Sequence, residues 1–219
     1  MVRESNKVSS QAVGPFDGLQ VRTSAGETIL LSDMWRKRPV VLKVLARLGC
    51  AMCRYEAQAL SELQPILEER GVGLVAVVFE DVDLEQFLRC GYWKWDILID
   101  PTRQVYRAAG LVKMGLGKTI KNLLSNQTSK CVSQLEELGF LYNLRGDVRQ
   151  LGGTFVVDPR GNLLYEFRPS RMAMFPCLRD IVQAIGGDPD DVDENPIHVF
   201  TYPTPQVFPR RKSKFDLSL

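Results

Sequence analysis

A short, almost wholly apolar and largely β-branched run, Val40-Val41-Leu42-Lys43-Val44-Leu45, leads within a few residues into Cys50-Ala51-Met52-Cys53. Helical sequence follows at once. Ala57, Leu60, Leu63 and Leu67 recur at spacings of three, three and four and make one apolar face. A strand buried on both faces, joined by a tight loop to a helix that opens on paired cysteines, leaves few folds available. Such a strand belongs inside a sheet covered by helices. The next strand, Leu74-Val75-Ala76-Val77-Val78-Phe79, is reached through that helix, with Gly71 as its stop. It must therefore run parallel to the first.

The remaining pattern extends this beginning. Leu84, Phe87 and Leu88 predict a short helix after Asp81, and Ile97-Leu98-Ile99 a short strand ended by Asp100-Pro101. Thr154 to Val157 and Leu163 to Phe167 flank the turn residues Asp158-Pro159-Arg160-Gly161-Asn162 and read as a hairpin. A last helix runs from about Leu178 to Ile185 and stops at Gly186-Gly187. Residues 110–150 read as a helical insertion, with Ile120, Leu123 and Leu124, then Val132, Leu135 and Leu138 as its apolar positions, broken by Gly115, Gly117 and Gly139. Strand, helix, strand, helix, hairpin and helix in that order predict an α/β thioredoxin-like fold, a central mixed sheet flanked by helices.

The expected folded unit is residues 15–187. Residues 1–14 are polar and aperiodic and read as a disordered N-terminus. From Asp188 the chain is rich in Asp and Pro and then basic at Arg210-Arg211-Lys212. Pro196, Pro203, Pro205 and Pro209 exclude a regular helix, so 188–219 reads as an extended Pro-rich, basic tail.

A formal charge of +2 on 219 residues gives no electrostatic footprint for nucleic acid. No apolar run approaches the roughly 20 residues that span a bilayer, and the first residues carry no apolar stretch like that of a secretory signal. A cytoplasmic, reducing location is the expectation. Five cysteines, at 50, 53, 90, 131 and 177, are then not a disulfide scaffold. A single histidine, His198, argues against a centre built on Ser-His-Asp or Cys-His.

The pair at 50 and 53 carries the chemistry. The first N–H groups of a helix lack internal partners and the macrodipole is positive there, so a cysteine at that point is favoured as its reactive thiolate. Two intervening residues leave the sulfurs within reach of a disulfide. Arg47 and Arg54 flank the pair and add positive charge. Two blander readings compete. Half of a zinc site would need two more ligands, and Cys90, Cys131, Cys177 and His198 offer no second pair at finger-like spacing, so no metal is expected. Two inert core cysteines are the other. Cys90, Cys131 and Cys177 themselves read as structural or merely exposed. Gly115-Leu116-Gly117-Lys118-Thr119 resembles the end of a phosphate-binding loop, but Val112 stands where that pattern needs glycine and no suitable strand precedes it.

Ser32-Asp33-Met34-Trp35, Gly49-Cys50-Ala51-Met52-Cys53-Arg54, Phe87-Leu88 with Gly91-Tyr92-Trp93, Asp100, Val105-Tyr106, Asn143-Leu144-Arg145-Gly146-Asp147 and Gln150-Leu151-Gly152-Gly153 together resemble the peroxiredoxin-like 2 family, which is AhpC/TSA-related. Within it the likeness is to the prostamide/prostaglandin F synthase branch, over residues 15–187. The resemblance implies reduction of the endoperoxide of prostaglandin H, or of its ethanolamide, to the F-series product. It also implies Cys50 and Cys53 as the working groups and no bound cofactor. Electrons would come from NADPH through thioredoxin reductase and thioredoxin. True peroxiredoxins place threonine three residues before the attacking cysteine and proline four before that, and counting back from Cys53 gives Cys50 and Ala46. Their activating arginine would fall near Gly152, and the cis-proline of thioredoxins is replaced by Gly152-Gly153, where glycines would let backbone or substrate approach the sulfurs. Thioredoxin logic makes Cys50 the attacking residue and peroxiredoxin logic Cys53; the helix tip favours Cys50. Met52, Tyr92, Trp93 and Trp95 are expected to give the site apolar surroundings suited to a lipid peroxide or endoperoxide. A general peroxide scavenger or disulfide reductase, or a redox-switch binding module, would use the same scaffold.

Overall fold

The computed structural model describes residues 14–192. The expected disordered N-terminus up to residue 13, and the tail from residue 193 on, lie outside the described residues. Seven strands form one sheet: β1 (Gln20–Arg22), β2 (Thr28–Leu30), β3 (Val40–Val44), β4 (Gly73–Val78), β5 (Asp96–Ile99), β6 (Gly153–Val157) and β7 (Leu163–Phe167). Their order is β2-β1-β5-β4-β3-β6-β7. β3, β4 and β5 run parallel; β6 pairs antiparallel with β3, and β7 antiparallel with β6. This is the mixed sheet that the run of apolar segments predicts.

β3 lies near the centre and every residue of it is buried. Alternation along a strand sends neighbouring side chains to opposite faces. Val40, Leu42 and Val44 pack with Phe16, Trp35, Tyr106 and Phe155 on one face. Val41 and Leu45 pack on the other, against helices α1 (Ala51–Glu62), α2 (Gln64–Glu69), α3 (Leu84–Arg89), α6 (Asn126–Glu137) and α7 (Leu178–Ala184). Lys43 shares that second face by parity, and its register partner across the ladder is Thr154 of β6.

Four differences from expectation have local causes. The predicted first helix is two: α1 ends at Glu62 and α2 begins at Gln64, with Pro65 at the start of α2. Proline cannot supply the N–H that would bond the Ser61 carbonyl, and its ring crowds that carbonyl. β1 and β2 were not visible in the sequence because three residues each are too short for a periodic signal; their residues sit at the sheet edge, with Arg22 opposite Ile99. The insertion holds α5 (Leu116–Leu123) and α6, after the short α4 (Gln104–Ala108). Gly117 lies inside α5 and does not break it, whereas Gly115 caps its start and Gly139, at φ +87°, follows the end of α6.

The fourth difference is at the C-terminal boundary. Past Gly187 the chain turns through a 3-10 helix, Pro189–Asp191, and Val192 returns into the core, 9 % exposed. The folded unit therefore extends five residues beyond the expected end, and Gly14 likewise stays on the domain, its N–H donating to Asp17 Oδ2 at 3.0 Å. A chain truncated after Val192 is the reference. Truncation after Gly187 should remove the Val192 contacts and about 1–2 kcal/mol of stability, lowering the thermal midpoint by roughly 2–8 °C for a domain of this size. Thermal unfolding of the two truncated proteins, followed by circular dichroism, measures the difference.

Candidate active site

The cysteine pair stands where β3 hands over to α1. Cys50 is the N-cap of α1, with φ −90° and ψ 126°, and Cys53 lies in its first turn. The loop between strand and helix is held from several directions. Tyr106 Oη donates to the Leu45 carbonyl at 2.6 Å. The wholly buried Arg54 donates to the carbonyls of Leu48 (2.7 Å) and Leu141 (2.8 Å) and to Gln86 Oε1 (2.8 Å), and its guanidinium lies over the Tyr92 ring. The Asn143 N–H donates to the Gly49 carbonyl at 2.8 Å. A Cβ on Gly49 would come within 2.5 Å of Asn143 Oδ1 and 2.7 Å of Asp83 Oδ2, so any side chain there would displace this carboxamide and this carboxylate. Asp83 in turn accepts from Asn143 Nδ2 at 2.9 Å and Arg145 Nη1 at 2.7 Å. The insertion thus clamps the loop that presents the sulfurs.

Cys50 is half-buried and Cys53 buried; neither is disulfide-bonded. The Cys50 thiol is brought down from 9.0 to about 6, first because its thiolate accepts the Cys53 S–H; burial opposes this, and the Arg47 guanidinium and the backbone N–H groups of Cys53 and Met52 add to it. Cys53 is pushed well up, by donating that same hydrogen bond to Cys50, by burial, and by the negative charges of Cys50 and Glu56. The two sulfurs are therefore unlike. Cys50 is the anion at neutral pH and Cys53 its proton-bearing partner.

Beneath Cys53 lies a buried ion pair. Lys43 Nζ is 2.9 Å from Glu56 Oε1, and also donates to Thr154 Oγ1 at 3.3 Å. Glu56 stands three residues beyond Cys53, one turn along the same helix face. Burial raises its carboxyl while Lys43 draws it back. Cys131 of α6 also reaches the field of the pair; burial, then the charges of Cys50 and Glu56, push its thiol to about 11, which keeps it protonated.

In front of the sulfurs opens a small cleft of about 80 Å³, and both cysteines, Arg47 and Glu56 line it. Its walls are mostly apolar: Met52, Met172, Met174, Leu123 and Leu151. Ala173, between two of these methionines, has left-handed backbone at φ 54°, a conformation that costs a non-glycine residue of order 1–3 kcal/mol. Gly152 lines the cleft, and a Cβ there would collide with the Val44 carbonyl and the Ala46 nitrogen. Gly153 instead packs inward, its missing Cβ leaving room for Leu111 and the Phe167 carbonyl.

Of the six residues singled out in the sequence, the structure brings together Cys50, Cys53, Arg47 and Gly152. Arg47 donates to the Arg145 carbonyl at 2.6 Å and faces Cys50. Arg54 does not join them: as the fourth residue of α1 it turns into the core, where its donors hold the loop, and its part in the site is support rather than charge. Of the four residues expected to give apolar surroundings only Met52 lines the cleft: Tyr92 and Trp93 are core residues, 2 % exposed, and Trp95 packs against the same core, so the remaining apolar walls come from Leu123, Leu151, Met172 and Met174. Sequence reading passed over Lys43, Glu56 and the 169–174 loop. A lysine inside an otherwise apolar strand, and an acid at i+3 from Cys53, were the available signals for the first two. The loop gave none, since only the fold brings it to the cysteines. Among the described residues no group of three or more His, Cys, Asp or Glu side chains could hold a metal ion, and no helix is long and apolar enough to cross a membrane.

Comparisons with known proteins agree with this architecture. Residues 59–170 match the model of the AhpC/TSA antioxidant enzyme family, a span that begins on α1 just beyond the cysteine pair. The prostamide/prostaglandin F synthase of Salmo salar is 30 % identical over 166 residues, 75 % of this chain and 83 % of the relative. That of Bos taurus is 31 % identical over 162 residues, 74 % and 81 % of the two chains. Among solved structures, a cysteine-to-serine mutant of the peroxiredoxin 6 of Arenicola marina superposes with a TM-score of 0.55 at 16 % identity, covering 80 % of this chain and 72 % of that one. The peroxidoxin BcpB of Mycobacterium tuberculosis gives 0.52 at 19 % identity, covering 77 % and 89 %. The fold is thus thioredoxin-like, shared with peroxiredoxins, and the chain belongs to the AhpC/TSA antioxidant enzyme family of oxidoreductases.

Proposed function

We propose that this oxidoreductase reduces the O–O bond of a lipid peroxide or endoperoxide, of the prostaglandin H and prostamide H kind, using Cys50 to attack and Cys53 to resolve. The observation that carries the reading is the Cys50 thiolate, hydrogen-bonded at the tip of α1, facing a cleft whose walls are apolar. The names of the relatives support the substrate class.

The steps follow from the unlike sulfurs. The Cys50 thiolate attacks one peroxide oxygen; an S–O bond forms, the O–O bond breaks, and the released alkoxide takes a proton from water. The attached sulfur is no longer an anion. The hydrogen bond and the charge that held Cys53 protonated are then gone, and Glu56, the acid nearest it with a raised carboxyl, is placed to receive its proton. The Cys53 thiolate attacks Cys50, the S–O bond breaks, and a second alkoxide departs, protonated in turn. Two thiols have become a disulfide and one peroxide two alcohols. An endoperoxide keeps both hydroxyls in one molecule. Thioredoxin, recharged from NADPH through its reductase in the cytoplasm, closes the cycle with no cofactor bound to this chain. Lys43 fixes the Glu56 carboxylate below the pair.

Two results test this. Because the Cys50 value is lowered when folded, its anion is present above about 6 and lost below it. The rate of alkylation at Cys50, read by mass spectrometry, should rise through pH 6 and level off, and Arg47→Ala should move that midpoint upward. A midpoint left near 9 would count against an activated Cys50. In the second, NADPH consumption is followed with thioredoxin and its reductase across prostaglandin H endoperoxide, a lipid hydroperoxide, hydrogen peroxide and an insulin disulfide. The endoperoxide should be turned over fastest and yield the F-series product. Cys50→Ser and Cys53→Ser should each reduce multiple turnover to background, with Cys53→Ser alone retaining one stoichiometric reaction. Replacing Cys90, Cys131 or Cys177 should leave turnover intact. A Cys50–Cys53 disulfide should dominate the oxidised protein; one to Cys131 would reassign the resolving residue.

A further inference from the structure

The outer surface of α5 carries a feature that peroxide reduction does not require. The helix meets the domain with Thr119, which is buried, and with Asn122 and Leu123, which are half-buried. Leu116, Ile120 and, just past the helix end, Leu124 recur every fourth residue, yet they are 67 %, 48 % and 77 % exposed. A helix on a globular domain ordinarily turns such a stripe toward the core; this one turns it to the outside. At about 100° per residue the three aliphatic side chains fill a wedge of about 80°, and Lys118 and Lys121 come next around the helix, still on its outward side. The outward surface of α5 is therefore part aliphatic stripe and part cationic flank.

The protein supplies no counter-charge to that flank. α5 contains no acidic residue. Lys118 and Lys121 share a polar recess with Arg171, and no carboxylate lines it. None of these three cations has an acidic partner among the described residues, whereas Lys113 is paired with Asp147 and Arg168 with Glu166. The orientation of the helix is fixed from its inner side: Thr119 is 1 % exposed, and Asn122 Oδ1 accepts from the Met172 N–H at 3.3 Å. Large aliphatic side chains beside unpaired lysines match the boundary of a bilayer with anionic headgroups, where the apolar side chains enter the acyl region and the ammonium groups stay at headgroup level. A second copy laid stripe against stripe matches less well, because its α5 likewise brings no acid to answer the lysines.

We propose that α5 docks on the surface of an anionic lipid bilayer, with Leu116, Ile120 and Leu124 seated at the boundary between headgroups and acyl chains and Lys118 and Lys121 among the anionic headgroups. An interfacial helix of eight residues gives a peripheral, reversible attachment whose strength follows the negative charge of the bilayer. The docked element is also the one whose inner residue Leu123 lines the cleft, so one short helix has the bilayer on its outside and the sulfurs' cleft on its inside. The docking goes beyond the peroxide-reduction reading and does not depend on it.

Co-sedimentation of the full chain with vesicles tests this. Vesicles of phosphatidylcholine mixed with phosphatidylserine should carry the protein down, and vesicles of phosphatidylcholine alone should bind it about tenfold or more weakly. The triple variant Leu116→Ser, Ile120→Ser, Leu124→Ser, and separately Lys118→Glu with Lys121→Glu, should each weaken binding to the mixed vesicles about tenfold or more. All five side chains are exposed, and circular dichroism checks that the variants fold. Raising the salt concentration should release the protein. An Ile120→Trp variant reads insertion directly: it should bind the mixed vesicles, and acyl chains carrying bromine should quench the added fluorescence. Absence of binding to the mixed vesicles would overturn the proposal, as would binding that survives both sets of substitutions and so belongs to another surface. Binding that is lost with the lysines but indifferent to the aliphatic side chains, with no quenching, would overturn it too. Concentration-dependent dimerisation abolished by the serine substitutions, in a chain that binds no vesicles, would give the stripe to a second copy instead. Vesicle binding is read without any peroxide, so a failure of the peroxide chemistry leaves the docking result standing.

Discussion

A lysine in the middle of a fully buried strand has to find its counter-charge inside the protein. Strand parity sends Lys43 to the face that α1 covers, and the acid of α1 that meets it there is Glu56. An uncompensated charge at this depth would cost several kcal/mol, so the pairing constrains how α1 can sit on the sheet. A rotation of the helix that broke it would strand two charges at once. The same rotation angle decides where residues one turn earlier point. Fixing Glu56 against Lys43 places Cys53 above the pair, and Cys50, at the helix tip, in front of the cleft. The ion pair is thus a registration device between sheet and helix as well as the charge that Cys53 meets when it must give up its proton in the proposed chemistry.

Much of this could be read from residues in a row. β3, β4 and the β6–β7 hairpin announce themselves through unbroken or alternating apolar runs, and the cysteines fall at a strand-to-helix junction that the periodicity marks. What escaped has a common physical character. β1 and β2 are held by tertiary pairing rather than by local preference, and three residues cannot display a period. Pro65 splits a helix whose apolar face continues across the break, so the spacing of Leu60, Leu63 and Leu67 conceals it. Arg54 looks like a charge for the cysteines because it follows them directly, yet helix geometry turns a residue one position on by about 100°, and that carries it into the core. The methionine walls and Arg171 come largely from a loop far along the chain from Cys50, a distance that no local pattern bridges.

The family match and the cysteine pair occupy adjoining rather than coincident parts of the chain, since the matched span begins at residue 59. The body of the fold is what the chain shares with its family. The loop that precedes it carries Gly49 and the two cysteines and is held by contacts from Asn143 and Arg145; in the proposed chemistry it supplies both sulfurs. The insertion is integral to this, because the Leu141 carbonyl and Asn143 are among the groups that hold the loop in place.

The break at Leu63 has an effect of its own. A helix acts on a group at its tip mainly through its first turn, where the unpaired N–H groups lie, so the 12 residues of α1 supply Cys50 with as much field as a longer helix would. Whatever happens beyond the break, in α2 or in the Val192 segment that follows α7, is electrostatically silent at the sulfur. The chain is thereby divided into a stretch whose every orientation is tied to reactivity and a neighbouring stretch that answers only to packing. Variation can accumulate in the second without retuning the first.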